Sequence, residues 1–194
     1  MVKREVEYFE DFGAHNTDQT IEVAKNVALN LSLKYAVVAS ATGSTGVKTA
    51  VAFRETDVKV VVVTEYAGMA EFKEENRLKL KEMNAEVITG THSFLSPAES
   101  ISKLHKGYCS ENTIIKDVLR RFSQGMKVAP EILMMATDAG AIPPGQEVVS
   151  IAGTGSGADT AVVLRSCHSN DFFDKEKGME FREIVAMPRK KKYW

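Results

Sequence analysis

The sequence predicts a single α/β domain: a mostly parallel, five-stranded sheet with its last strand antiparallel, covered by helices. Three observations predict it. Helix-like and strand-like segments alternate along the chain, the pattern of parallel strands joined by helical crossovers. Residues 58–63, Val-Lys-Val-Val-Val-Val, are almost all valine. β-Branching favours extended backbone there, and apolarity on both faces implies cover on both sides. The fourth and fifth strand segments are separated by one glycine-rich loop, too short for a crossover, so the fifth runs against the fourth.

Taken in order, residues 1–16 form an N-terminal arm. Asn16 or Thr17 offers a side-chain oxygen to cap the next helix. Ile21, Ala24, Val27, Ala28 and Leu31 recur at helical spacing. Tyr35 to Ala39 is a short apolar run and reads as a buried strand. A glycine-rich turn at 41–46 leads into a helix ending near Arg54, and the valine strand follows. Residues 65–74 are a loop before a charged helix to about Asn84. Ala85 to Thr89 is the third strand. Ser96-Pro97-Ala98-Glu99 matches a capping box with proline at the first helical position. That helix ends near His105, and another runs from about Glu111 to Phe122. Pro130 opens a further helix, from Glu131 to about Ala139, apolar nearly all round and therefore central. Glu147 to Ala152 is the fourth strand and Thr160 to Arg165 the fifth. Phe181 to Met187 adds an edge strand, and 188–194 is a basic tail.

Length and charge restrict the function. The 194 residues suit one domain, which at that size buries roughly 70% of its unfolded surface. No disulfide or metal staple is required. Formal net charge is −1, yet four cations sit together at Arg189, Lys190, Lys191 and Lys192, so the body is acidic. An acidic body does not suit nucleic acid. The only two cysteines, Cys109 and Cys167, make no disulfide framework and fit a reducing compartment. The N-terminus lacks the apolar core of a signal peptide, and no apolar run reaches membrane-span length. The reading is cytoplasmic, without a membrane partner.

Two loops carry the candidate chemistry. Ser40-Ala41-Thr42-Gly43-Ser44-Thr45-Gly46 lies between a strand and a helix. Unpaired amides and partial positive charge at the helix start, glycines that admit close approach, and three hydroxyls together suit an anion. The plainer alternative is a strand-to-helix turn with a hydroxyl cap. Gly153-Thr154-Gly155-Ser156-Gly157-Ala158-Asp159-Thr160 alternates glycines beyond the needs of an ordinary turn. The plainer alternative there is a flexible hairpin tip. Both loops leave carboxyl ends of strands that point the same way, so both open on one edge, where open α/β sheets bind ligands. A phosphorylated small molecule is the ligand class. The triphosphate-loop spacing fails, because Gly43 and Gly46 are too close and Lys48 does not directly follow Gly46. Ala41, Gly43 and Gly46 give only part of a dinucleotide fingerprint.

The order of these pieces resembles the C-terminal α/β domain of pyruvate kinase, in its stand-alone form. The resemblance covers about Asn16 to Met187. It rests on Tyr35-Ala36-Val37-Val38-Ala39-Ser40 with its Thr-Gly-Ser-Thr loop, Val61-Val62-Val63-Thr64, Phe122 to Val128, Asp138-Ala139-Gly140 and the 153–160 loop. It implies a three-layer fold. It also implies that Thr42, Gly43, Ser44 and Thr45 match the loop holding an effector phosphate. Gly155, Ser156 and Gly157 match the loop that closes over it. The tryptophan, arginine and proline often seen before those glycines are missing here, which does not favour a sugar bisphosphate. The catalytic barrel has no counterpart, so no kinase chemistry carries over.

Stand-alone members look like flavin mononucleotide (FMN) binders. Thr64, Glu65, Tyr66, Ala67 and Gly68, with Met69, follow the second strand and could line a slot for the ring. Gly125 and Lys127 could approach it, and His92, after the third strand, could hydrogen-bond a flavin or exchange a proton. The spacing of His105, Cys109, Cys167 and His168 does not suit one metal ion. Asp138, in an otherwise apolar helix, needs a hydrogen-bonded partner, most simply a neighbouring loop. Three functions compete: a binding or regulatory module, a small flavin-dependent oxidoreductase, and an interaction domain with a vestigial site that packs as a homo-oligomer.

Overall fold

Val37 lies opposite Val61, and Val38 opposite Val62, in a parallel pair. The computed structural model describes residues 1, 3–69, 71–95, 97–106 and 109–192. Among them seven strands form one sheet. They are β1 (Glu7–Phe9), β2 (Tyr35–Ala39), β3 (Lys59–Thr64), β4 (Glu86–Thr89), β5 (Glu147–Ala152), β6 (Thr160–Arg165) and β7 (Glu180–Pro188). Their order is β1-β7-β6-β5-β2-β3-β4. Strand β6 is antiparallel to both β5 and β7, so it alone runs against the others.

Alternation along the strands divides the core into two layers. Val38, Val62 and Ile151 face one side; Val37, Val61 and Val148 face the other. Helices α1 (Thr17–Asn30), α2 (Ser44–Phe53) and α3 (Glu74–Glu82) cover the first face. Helix α6 (Gln124–Asp138) covers the second, with α5 (Glu111–Arg120) packed on it and α4 (Pro97–Leu104) beside α5. Gly46 lets α2 lie close on β3, because a Cβ there would stand 2.6 Å from Val62 Cγ1.

The sheet has two strands beyond the expected five: β7, expected as an edge strand at 181–187, and β1, which the sequence does not predict. The N-terminal arm supplies β1, which pairs with β7, so β7 is interior rather than an edge. The tail continues that pairing at its start, where Arg189 N donates to Phe9 O at 2.8 Å. Three residues of strand carry too little hydrophobic alternation to show against a charged arm.

Helix α6 begins at Gln124, not at Pro130. Ser123 Oγ accepts from Met126 N at 2.8 Å and caps it. Pro130 sits inside the helix, among residues buried on nearly every side. Packing there outweighs the hydrogen bond that proline cannot donate. Neither expected cap of α1 forms. Asn16 Nδ2 donates instead to Asp11 O at 2.9 Å, and Thr17 Oγ1 to Ala14 O at 2.6 Å. A 3₁₀ turn at Ala14–Asn16 runs straight into α1. Of the box expected at 96–99, Ser96 lies outside the described residues, and Glu99 pairs with Lys116 Nζ of α5 at 2.7 Å.

Candidate functional site

The parallel strands β2, β3, β4 and β5 end on one edge, where a cleft of about 440 Å³ opens. Ser40, Thr42 and Thr45 of the first loop line it, as do Gly153, Gly155, Ser156 and Gly157 of the second. The loops stand side by side because β2 and β5 are neighbours.

The first loop is held from behind. Ser40 is buried, and its Oγ accepts from Gly46 N at 3.1 Å. Gly43, with φ of +90°, precedes α2 in a left-handed conformation. Thr42 Oγ1 and Ser44 Oγ lie 3.1 Å apart, and Asn76 Nδ2 donates to Thr42 O at 3.0 Å. Among the described residues nothing accepts a hydrogen bond from the main-chain amides of Ser44 and Thr45. Those amides open a ten-residue helix, whose dipole favours negative charge at that end.

The second loop is latched to the arm. Ala158 N donates to Thr17 Oγ1 at 3.0 Å, and Gly13 N to Asp159 Oδ2 at 3.0 Å. Asp159 Oδ1 accepts from Thr160 Oγ1 at 2.9 Å, and Thr160 Oγ1 lies 2.9 Å from Ser123 Oγ. Thr154, Ala158, Asp159 and Thr160 are therefore buried supports behind the cleft wall. Gly125 also lies behind it, where a Cβ would stand 2.4 Å from Thr160 Oγ1.

Thr64 and Glu65 line the cleft beyond β3, and His92 lines it beyond β4. Ala67 and Gly68 border a second hollow with Phe72 and Arg77, while Tyr66 is surface-exposed. The cleft floor is apolar, drawn from Val63, Leu95, Val128, Ile132 and Met135.

A buried polar network borders that floor. Glu131 is fully buried. Its Oε2 lies 2.5 Å from Lys127 Nζ and 3.0 Å from His92 Nδ1, and its Oε1 accepts from Phe94 N at 3.1 Å. Burial alone would raise the Glu131 carboxyl, but the His92 hydrogen bond and the Lys127 charge hold it below the ordinary carboxylate value. Burial pulls Lys127 below the ordinary lysine value despite Glu131. Three donors overcome the cost of burying the carboxylate, whereas one acceptor does not overcome it for the ammonium.

Sequence reasoning missed Glu131, Gln124 and Arg120, all at or beside the cleft. A signal existed: Gln124, Lys127 and Glu131 recur at i, i+3 and i+7, one polar stripe on an otherwise apolar helix. Other candidates fall elsewhere. Asp138 is part-exposed at the end of α6, where Oδ1 accepts from Ser169 N at 3.0 Å and meets His168 Nδ1 at 3.2 Å. Cys167 is buried against Phe94 and Met134, and that burial pushes its thiol up to about 11. Among the described residues no three His, Cys, Asp or Glu side chains gather as a metal site.

Fold and cleft define a class: a three-layer α/β domain with an open cleft at the carboxyl edge of its sheet. Residues 18–164 match the family described as "Pyruvate kinase, alpha/beta domain". The chain belongs to that family. It is similar to the solved structure of a pyruvate kinase from Cryptosporidium parvum, at 14% identity and a TM-score of 0.40, over 78% of this chain. A second structure, that organism's pyruvate kinase in complex with ADP, gives 15% and 0.41 over 86% of this chain. The chain spans 23% and 25% of those chains' own lengths. Among the described residues no helix is long and apolar enough to cross a membrane.

Proposed function

We propose that this domain is a ligand-binding, regulatory module for a phosphorylated small molecule, FMN being the best-fitting ligand. The observation that carries the reading is the shared cleft: two glycine- and hydroxyl-rich loops line one cavity, and the amides of Ser44 and Thr45 have no acceptor among the described residues. A phosphate would lie against those amides and the hydroxyls of Thr42, Thr45 and Ser156. Arg120 adds positive charge at the cleft. The apolar floor, including Val63, Leu95 and Ile132, suits a flat ring. The donors therefore fit the phosphate of FMN, and the apolar floor fits its ring. Bound flavin would supply hydride or single-electron transfer; the chain's own residues bind, orient and exclude water.

Purified protein should quench the fluorescence of added FMN saturably. Riboflavin, which lacks the phosphate, should bind at least about tenfold more weakly, the effect of losing one or more charged hydrogen bonds. Inorganic phosphate should compete with FMN. Absence of saturable quenching would remove the flavin, and absence of phosphate binding would remove the site.

A further inference from the structure

Among the described residues, one buried side-chain nitrogen or oxygen has no hydrogen-bond partner: His92 Nε2. Leaving such a group unpaired carries its full desolvation penalty, so its retention needs a reason. The ring borders the cleft, and its other nitrogen is already committed to Glu131 at 3.0 Å. An ionised carboxylate only accepts hydrogen bonds, so Nδ1 carries the ring proton. In the neutral imidazole, Nε2 is then a bare acceptor. While the ring is neutral, Glu65 Oε1, 3.5 Å away, is also an acceptor and leaves that lone pair unsatisfied.

We infer that His92, its tautomer fixed by Glu131, reads a hydrogen-bond donor on the end of the ligand remote from the phosphate. The sheet order sets the remoteness. The phosphate loops follow β5 and β2, while His92 follows β4, two strands beyond β2, or about 10 Å. The ligand must reach across that span and present an N–H or O–H to paired acceptors, His92 Nε2 and Glu65. A molecule offering only carbonyl oxygens there is rejected, because acceptors would face acceptors. The ring N–H of a flavin meets the requirement. Glu131 is a positioning residue: it acts on the ligand only through the imidazole. This inference rests on the phosphate reading of the cleft.

Histidine side-chain ¹⁵N–¹H spectra test it, with four histidines in the chain and His92→Phe to assign the signal. Free protein should show His92 neutral, in the Nδ1–H tautomer; a proton on Nε2, whether in the other tautomer or in an imidazolium bridging Glu131 and Glu65, would overturn the inference. Titration with FMN should move both the Ser44 and Thr45 amides and His92 Nε2. Inorganic phosphate should move the amides alone. Movement of the amides by FMN with Nε2 unmoved would overturn the inference and leave the phosphate reading standing. Silence at both places would overturn both. His92→Phe should weaken FMN about three- to tenfold, the worth of one hydrogen bond, with inorganic phosphate affinity unchanged. His92→Gln, which keeps an acceptor, should recover part of that loss. Equal loss for FMN and phosphate would mark a merely structural histidine and overturn the inference.

Discussion

Glu131→Gln lowers the thermal unfolding midpoint by about 6–20 °C. The side chain is fully buried and neutralises Lys127, itself 5% exposed. Removing one partner of a buried pair costs about 3–5 kcal/mol, because the other charge stays buried alone. For a chain of this size each kcal/mol shifts the midpoint by roughly 2–4 °C. Replacing both partners, as in Lys127→Met with Glu131→Leu, should recover much of the loss, since an apolar pair leaves no stranded charge. Circular dichroism melts of the three variants check this, and a Glu131→Gln midpoint within about 2 °C of wild type would refute the stated role.

The pH dependence carries a defined sign. The folded carboxyl of Glu131 lies below its ordinary 4.5. Its stabilisation is therefore present above about pH 4.5 and is lost as pH falls through the folded value. Glu131→Gln lacks that contribution, so the two stability curves converge in acid. Lys127 lies below its ordinary 10.5, so the unfolded chain binds more protons than the folded one as pH climbs toward that value. Stability rises there, and more so in the variant, whose lysine has lost its counter-charge.

Gly157→Ala has the next largest effect, and on two readouts. Gly157 has a φ of +69°, a region that costs an L-residue about 1–2 kcal/mol. A Cβ would also stand 2.3 Å from Thr17 Oγ1 and 2.8 Å from Ala14 Cα. The backbone atom cannot swing aside, and Thr17 Oγ1 is the acceptor for Ala158 N. Strain and clash together should cost about 2–4 kcal/mol. The displaced loop should weaken FMN at least about tenfold, as expected when a positioned hydrogen-bonding loop moves. Gly155→Ala is the matched control. Its φ is +80°, but nothing lies within 4 Å of the added carbon. Only the conformational cost remains, about 1–2 kcal/mol. Equal losses in the two variants would show that the latch to the arm is irrelevant.

The two variants also separate what was legible from what was not. Gly155 and Gly157 look alike as letters, and the 153–160 stretch announces a glycine-rich loop either way. Their difference comes from Ala14 and Thr17, more than a hundred residues away in the chain. The same holds for the second half of that loop. Asp159 and Thr160 read as ligand contacts beside glycines, but Gly13 N and Ser123 Oγ take up their polar atoms. Ser40 is intermediate: its Oγ accepts from Gly46 N, yet the residue still lines the cleft.

Local pattern by itself determined the strand sequence from Tyr35 to Arg165, the antiparallel turn between β5 and β6, and the two loops on one edge. Valine runs, helical spacing and loop length are properties of neighbouring residues, and neighbours are what a sequence displays. Tertiary structure alone decided that the arm joins the sheet, that α6 starts before its proline, and that Lys127, Glu131 and His92 share one network. Each of those depends on groups far apart in the chain meeting in a dry interior. There a charge is tolerated only beside its partner, and no single segment records where that partner will be.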